Sequence, residues 1–187
     1  MTDQDLLRAY VYGRDVECLG AFVSRHQDSV LRFVARLLGD VDVAQDVVQE
    51  TFLRVARHPK RLLRVDSCHN WLLRVARNIG MDHIRRVSRH RKHAESVARH
   101  AESVASVAEA EPGAALEKEE LHARVRAEIE RLPGRQRELL LLRLQEQKSY
   151  KEIAEITGLS ATNVGFILHQ AMKRLTHQLR NLREGDR

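Results

Sequence analysis

The sequence predicts an all-α protein made of two small helical domains joined by a flexible linker, with a helix-turn-helix in the second domain. Aromatic residues make up 4% of the 187 residues and charged residues 31%. This balance fits small cores of leucine, valine and alanine better than large sheets, which favour aromatic residues. Only three prolines and nine glycines occur, so turns are few. Apolar residues recur at helical spacing in both halves of the chain.

The first domain is predicted to span residues 1–92. Apolar periodicity and turn residues predict helices at 3–12, 17–26, 29–38, 42–57 and 68–90. Gly39-Asp40 and Pro59 are the stop signals on either side of the fourth helix. Residues 58–67 form a basic connector to the fifth helix.

The domain is organised around the helix predicted at 42–57. Val48, Phe52 and Val55 lie at i, i+4 and i+7 and form its apolar stripe, which Ala44 and Val47 widen. Its predicted N-cap is Asp42. A second face carries polar residues at helical steps, namely Asp46, Gln49, Glu50 and Arg54.

The fifth helix and the connector before it carry most of the positive charge. Asp66 or Ser67 is the predicted N-cap. The side predicted to be buried consists of Trp71, Leu72, Val75, Ile79 and Ile84. Between residues 57 and 92 there are eleven lysines and arginines against two acidic residues. Many charge runs are only solvated faces, but this density favours a phosphate-facing surface. The spacing of Trp71 favours packing in the core over stacking on a base.

Residues 93–115 are predicted to form a flexible linker, and residues 116–187 the second domain. The linker contains a seven-residue repeat, HAESVAR followed by HAESVAS, and ends near a Pro-Gly pair. Two copies of a repeat without large apolar residues are too few for a coiled coil. Beyond it, helices are predicted at 116–132 and 135–145.

A helix-turn-helix is predicted near the C-terminus. Ser149 and Glu152 form a capping box, Gly158 supplies a left-handed turn, and Ser160 caps the next helix. The buried stripe of that second helix is Val164, Leu168, Ala171 and Leu175. An ordinary helical hairpin is the alternative. The coincidence of both caps with the glycine turn favours a helix-turn-helix, whose second helix enters the major groove of DNA.

Composition limits the function classes. A net charge of +6 and a pI of about 9.7 permit a nucleic-acid partner, with an anionic membrane surface as the competing interpretation. No apolar run approaches the roughly 20 residues that a membrane span needs, and the acidic, polar N-terminus is unlike a signal peptide. Cys18 and Cys68 indicate reduced thiols in a cytoplasmic protein. Without metal-ligand spacing, a phosphate loop or a nucleophile elbow, we expect no catalytic residues, no metal and no cofactor.

Two segments carry a family resemblance. The order Asp46, Gln49, Glu50, Thr51 and Phe52, followed by Trp71-Leu72 and Ala76-Arg77-Asn78, resembles the core-binding signature of bacterial sigma factors of the extracytoplasmic-function group, in the sigma-70 family. The C-terminal run LPGRQRELLLLR…SYKEIAEITGLS resembles the second conserved part of the same family. Together the resemblance covers residues 5–90 and 116–180.

This resemblance implies a transcription initiation factor that binds core RNA polymerase and directs it to promoter DNA with −10 and −35 elements. An anti-sigma factor is a further candidate partner. Contacts with core polymerase are implied for Asp46, Gln49, Glu50 and Phe52. Contacts with −10 DNA are implied for Arg74, Arg77, Asn78, Arg85 and Arg86. Contacts with −35 DNA are implied for Ser160, Ala161, Thr162, Asn163, Phe166, His169 and Lys173.

The chain departs from the family in the second helix of the helix-turn-helix. Where the family usually has a run like TVKSRLHRA, this sequence has NVGFILHQA, so Gly165, Ile167 and Gln170 stand at positions usually basic. The departure bears on the strength and sequence preference of −35 binding. The main alternative function is a two-lobed DNA-binding regulator that never contacts polymerase. Such a regulator would have no reason to keep the order of residues 46–52.

Overall fold

The computed structural model describes residues 1–94 and 116–185 of the chain. Within these ranges the protein is helical and contains no β-strand, which confirms the predicted fold class. The helices before residue 95 lie in one compact unit, and those after residue 115 lie in a second, apart from Glu155–Thr157. The predicted linker lies outside the described residues, except for its first two residues, which continue the preceding helix.

The helices have the following bounds. The first unit consists of α1 (Asp3–Gly13), α2 (Val16–Leu38), α3 (Val41–Arg57), a short 3-10 helix (Pro59–Arg64) and α4 (Cys68–Ala94). The second unit consists of α5 (Leu116–Glu130), α6 (Gly134–Leu140), a π-helical turn (Leu141–Gln145), α7 (Tyr150–Thr157) and α8 (Ala161–Gly185).

The central element of the first unit is α2, which packs against α1, α3 and α4. The prediction of separate helices at 17–26 and 29–38 is wrong, because α2 runs unbroken from Val16 to Leu38. Its buried side is continuous through the expected break and consists of Phe22, His26, Val30, Phe33, Val34 and Leu37. No glycine or proline interrupts this stripe between residues 21 and 38, so nothing ends the helix until Gly39, at φ 73°.

Helix α3 begins at Val41, one residue earlier than predicted. Its N-cap is Asp40, whose side chain accepts a hydrogen bond from the Val43 amide at 3.0 Å, so the prediction of Asp42 as the cap is wrong. Asp42 instead lies in the first turn, where its negative charge interacts favourably with the helix dipole. The helix buries Ala44, Val47, Thr51, Phe52 and Val55. Val48, predicted to be in the stripe, is only half-buried at its edge.

The buried face of α4 matches the predicted one only in part, because Leu72 is the one predicted residue that is fully buried. Ser67 is confirmed as a cap, since its Oγ accepts a hydrogen bond from the Asn70 amide at 3.2 Å. Leu72, Leu73 and Ala76 are fully buried, whereas Trp71 is half-buried. Val75, Ile79 and Ile84 are half-buried too. The buried face continues to Gly80, where an added Cβ would lie 3.2 Å from Leu38, so glycine allows a close approach of α4 to the end of α2.

The second unit has a leucine core. Four consecutive leucines, Leu139 to Leu142, are buried, and the last two begin the π-helical turn rather than a continuation of α6. Ile153 of α7 and Val164 and Leu168 of α8 are buried as well. Two buried carboxylates are each paired with an arginine three residues away: Glu128 with Arg131 at 2.6 Å and Glu138 with Arg135 at 3.2 Å.

Candidate functional site

The polar face predicted on α3 is present at the surface. Asp46 and Gln49 are exposed, and Glu50 is half-exposed. Glu50 is held within the helix, because its Oε1 accepts from Arg54 Nε at 2.9 Å and its Oε2 lies 4.0 Å from Arg57 Nη1. Asp46 forms no ion pair within the described residues. Of these acids, Asp46 is therefore the more available to a partner.

An open apolar groove lies beside this face, between α2 and α3. It has a volume of about 550 Å³. Its lining comprises Val23, Gln27, Asp28, Leu31, Gln45, Val48, Gln49, Phe52 and Leu53. Phe52 is only 9% exposed, while Leu53 is 42% exposed at the edge. The structure thus brings Gln49 and Phe52 together in one groove. Asp46 and Glu50 do not line it.

The five candidate −10 residues on α4 do not share a single face. At about 100° per residue, positions 74, 78 and 85 fall within roughly 40° of one another around the helix. Arg74, Asn78 and Arg85 are all exposed. Arg77 borders this face, is half-buried, and donates from Nη1 to Asn78 Oδ1 at 3.0 Å. Arg86 lies further round the helix, against His83 at 3.3 Å. Three of the five residues therefore form one stripe, and two flank it.

The connector before α4 is folded and anchored. Leu62 of the 3-10 helix is fully buried, while Lys60, Arg61 and Arg64 are exposed. Gln4 of α1 holds its end, because Gln4 Nε2 donates to the carbonyls of Leu62 at 3.1 Å and Val65 at 3.3 Å. Sequence reasoning missed this role of Gln4. A polar residue among the apolar positions of a short helix is a weak signal that could have indicated it.

A buried histidine joins three helices of the first unit. His26 Nε2 on α2 lies 2.8 Å from Asp3 Oδ2 on α1, and its ring stacks on His69 of α4 with a centroid distance of 5.4 Å. Burial lowers the pKa of His26, and this outweighs the attraction of Asp3, which raises it. Burial also raises the pKa of the Cys68 thiol to about 11, so this cysteine is protonated at neutral pH. Sequence reasoning did not identify this cluster.

The caps and the turn of the helix-turn-helix are as predicted. Ser149 Oγ accepts from the Glu152 amide, and Glu152 Oε2 accepts from the Ser149 amide at 2.9 Å, which completes the capping box. Gly158 has φ 75° and ends α7 in the left-handed region. Ser160 Oγ accepts from the Asn163 amide at 3.2 Å at the start of α8. The predicted stripe is buried as Val164, Leu168, Ala171 and Leu175.

The candidate −35 residues are all exposed, at the start of α8 and along the side opposite its buried stripe. Ser160, Ala161, Thr162 and Asn163 are exposed at its start, followed by Phe166, His169 and Lys173. Thr162, Phe166, His169 and Lys173 follow one another at i, i+4, i+7 and i+11, so they form a single exposed stripe. Phe166 is 60% exposed, compared with 44% for Met172, the other large apolar side chain of α8 that is exposed in the described part of the chain.

Gly165 lies on the flank of that stripe beneath an aromatic ring. A Cβ added at Gly165 would be 3.5 Å from Cε2 of Tyr150, which is ordinary van der Waals contact. Tyr150 in turn stands 5.6 Å from the guanidinium of Arg143. Ile167 is half-buried and Gln170 is exposed. Gly165, one of the three residues that depart from the family pattern, therefore lies where α7 contacts α8.

Two further observations concern the described residues as a whole. Within residues 1–94 and 116–185, no helix has both the length and the apolar character to cross a membrane. In the same ranges no three histidine, cysteine or acidic side chains come together in a way that could hold a metal ion.

Comparison with known proteins decides the family. The model of sigma-70 region 2 matches residues 22–90, and the model of sigma-70 region 4 matches residues 122–175. Together these two regions include more than half of the 187 residues. The chain belongs to the sigma-70 family. It is a sigma factor of the extracytoplasmic-function group, a DNA-binding transcription initiation factor that directs RNA polymerase to promoters.

Similar proteins agree with this assignment. The sigma factor is 28% identical to the RNA polymerase sigma-H factor of Pseudomonas aeruginosa over 160 residues, 82% of this chain and 81% of the relative. It is 27% identical to the ECF RNA polymerase sigma factor SigW of Bacillus subtilis over 178 residues, 90% and 92% of the two chains. Among solved structures, RpoE of Bartonella quintana in complex with the anti-sigma factor NepR matches with a TM-score of 0.67 at 18% identity, over 84% of this chain and 94% of that one. This last likeness concerns the fold.

Proposed function

We propose that this sigma factor binds core RNA polymerase through α3 and the groove between α2 and α3. The observation that carries the proposal is the groove itself, which is open and apolar, has a volume of about 550 Å³ and is lined by both Gln49 and Phe52. An exposed apolar groove rimmed by polar residues is typical of a protein–protein contact. Asp46 is exposed on the same helix and supplies charge beside the groove. Glu50 supplies a second charge, partly neutralised by Arg54.

The −10 element is assigned to α4 and the connector before it. The stripe of Arg74, Asn78 and Arg85 offers two cations and an amide on one face of a helix. Cations neutralise strand phosphates, and an amide can hydrogen-bond a base edge once the strands separate. Arg77 and Arg86 flank this stripe and would widen the positive surface. Trp71, which is half-buried, remains able to support a base from the edge of the core.

The −35 element is assigned to the exposed stripe of α8. Thr162, His169 and Lys173 supply hydrogen-bonding groups and one cation, and Phe166 supplies an apolar surface of the kind that contacts thymine methyl groups. The first turn of α8, next to Ser160, is exposed, and a helix N-terminus attracts phosphate. These roles depend on α8 lying in the major groove, as the second helix of a helix-turn-helix does.

The domain plan completes the proposal. Residues 1–92 would form the polymerase-binding and −10 domain, residues 93–115 the linker, and residues 116–187 the −35 domain. The protein would act in the cytoplasm without catalysing a reaction, and an anti-sigma factor would compete for one of its surfaces.

Run-off transcription tests the proposal as a whole. The purified protein, added to core polymerase and fragmented genomic DNA, should produce transcripts that start at defined sites. The Asp46→Arg variant should reduce all of them equally, because it acts before promoter choice. DNA binding without any directed transcription would instead support a two-lobed regulator that does not contact polymerase.

A further inference from the structure

The connector before α4 depends on the rest of the first unit for its shape. It contains a six-residue 3-10 helix, Pro59–Arg64. Runs of 3-10 helix longer than about three or four residues are uncommon, because their hydrogen bonds have poor geometry. The bond that closes this one, from the Val65 amide to the Leu62 carbonyl, is 3.4 Å long. Tertiary contacts must therefore stabilise this segment.

The first half of the connector borders an open cavity. The cavity has a volume of about 490 Å³, and α1, α2 and the connector all contribute to its wall. Its lining comprises Tyr10, Val11, Arg14, Val16, Arg57, His58, Pro59, Lys60 and Arg61. Lys60 and Arg61 are exposed beside it. An open cavity gives little support to the backbone at its edge, so the contacts that fix the connector are those of its second half.

A side-chain amide of α1 holds this second half. Leu62 is fully buried, and Gln4 Nε2 donates to the Leu62 carbonyl at 3.1 Å and to the Val65 carbonyl at 3.3 Å. The same nitrogen lies 3.8 Å from Cys68 Sγ at the start of α4. Both hydrogens of the Gln4 amide are thus used within the protein. Arg64, which is exposed, lies between the two carbonyls, so Gln4 fixes the backbone from which this arginine projects.

Gln4 is in turn placed by the contacts of its neighbour in α1. Asp3 Oδ1 accepts from Arg25 Nη1 at 2.7 Å, and Asp3 Oδ2 lies 2.8 Å from His26 Nε2. Helix α2 therefore holds the start of α1, and α1 holds the connector. Helix α1 lies outside residues 22–90, which match the model of sigma-70 region 2. This support comes from a part of the chain that the region 2 model does not cover.

We propose that Gln4 is a positioning residue for promoter opening, which sets the connector in the shape that presents Arg64 to the −10 DNA. Gln4 acts through the two carbonyls that it holds and makes no contact with DNA. The role rests on the proposed function, since it requires the connector to lie on the −10 element. A connector that is already fixed does not have to be ordered when the DNA arrives, so less of the binding free energy is lost to ordering.

Three variants separate this role from support of α1 alone. Gln4→Met keeps the length of the side chain and removes both donors. Gln4→Glu keeps its shape but turns a carboxylate toward two carbonyl oxygens. Gln4 lies in the first turn of α1, where a negative charge interacts favourably with the helix dipole, so Gln4→Glu should not weaken the helix. Thr2→Ala is the control, because it removes the N-cap of α1 and leaves the Gln4 amide in place.

Hydrogen exchange of the full-length protein, without polymerase or DNA, measures the contact itself. The Val65 amide should exchange about tenfold faster in both Gln4 variants than in wild type, as expected from the loss of two ordinary hydrogen bonds. Thr2→Ala should change this rate much less. Wild-type exchange of Val65 in both Gln4 variants would overturn the proposal, and it would leave the proposed function intact because neither polymerase nor promoter enters the measurement.

Promoter opening by the holoenzyme measures the consequence. Permanganate-reactive bases should appear about tenfold more slowly with both Gln4 variants, while their affinity for core polymerase stays at the wild-type value. Arg64→Ala should make Gln4→Met nearly silent in a double-mutant cycle, because Gln4 acts through the segment that carries this arginine.

Three results of this second measurement would overturn the role of Gln4 alone. They are wild-type opening by Gln4→Glu, full additivity of Gln4→Met with Arg64→Ala, and an equal loss of opening in Thr2→Ala. The last would mean that the stability of α1 accounts for the effect. No opening by the wild-type holoenzyme would overturn the proposed function and this role with it.

Discussion

Gly165→Lys tests how the second helix of the helix-turn-helix holds −35 DNA. An added Cβ would lie 3.5 Å from the Tyr150 ring, an ordinary contact, so the structure leaves room for a side chain there. Replacing glycine inside a helix by a good helix former stabilises it by roughly 0.7–1 kcal/mol. Lysine also restores a cation at a position that is usually basic in the family. We therefore expect tighter DNA binding from a more stable helix.

The size of the effect follows from counterion release. One additional phosphate contact steepens the dependence of log affinity on log salt by about 0.9, so the gain over wild type should shrink by a factor of about 3.5 between 50 and 200 mM salt. Gly165→Ala is the matched control, since it shares the helix gain without the charge and should keep the wild-type slope. Filter binding to a selected −35 duplex and to a scrambled duplex measures the affinity and its dependence on salt. Hydrogen exchange of the α8 amides reports the stability of that helix.

Two results would refute this reasoning. If Gly165→Lys abolishes specific binding while binding to the scrambled duplex rises, glycine serves a close approach of the backbone to DNA. If Gly165→Ala alone lowers the stability of α8, the Tyr150 ring cannot accommodate a Cβ, contrary to the 3.5 Å contact.

The other predictions concern the first unit. Asp46→Arg should weaken binding to core polymerase by about tenfold or more, whereas Glu130→Arg, the same charge change in the second unit, should not; equal affinities in a pull-down would contradict this. Arg86→Ala should lower permanganate reactivity of the melted promoter bases and reduce the salt slope by roughly 0.7, and wild-type reactivity would mean that this arginine is only solvated. Because burial lowers the pKa of His26 below its unfolded value of about 6.5, the folded state resists protonation, so the free energy of unfolding should decline as pH falls below about 6.5. His26→Gln should make that decline shallower in urea titrations, and identical pH profiles would exclude His26 as its source.

Local features of the fold were available from the sequence because their partners are close in the chain. The capping box of Ser149 and Glu152 and the cap at Ser160 each join residues three positions apart. Gly158 was readable as a left-handed turn because few other residues adopt φ 75° without strain. The exposure of Asp46 follows from the same 3.6-residue period that buries Val47.

Where several local patterns were compatible with the sequence, tertiary packing decided. The Gln-Asp-Ser segment of α2 suits a turn or a helix equally, and the burial of His26 and Val30 on one continuous stripe makes it helical. On α4, the side chains of Leu73 and Ala76 are as apolar as those predicted to be buried. The close approach of Gly80 to Leu38 selects the face that turns inward.

The sequence by itself determined the helical class, the caps and turn of the helix-turn-helix, and the family resemblance, since each of these depends on residue type and short spacing. Only the tertiary structure brought Gln4 to the connector, Tyr150 to Gly165, and Arg14 to Lys60 across a cavity. The residues of the first and third of these sets lie more than forty positions apart in the chain. Their meeting depends on how whole helices pack, which a pattern of neighbouring residues does not encode.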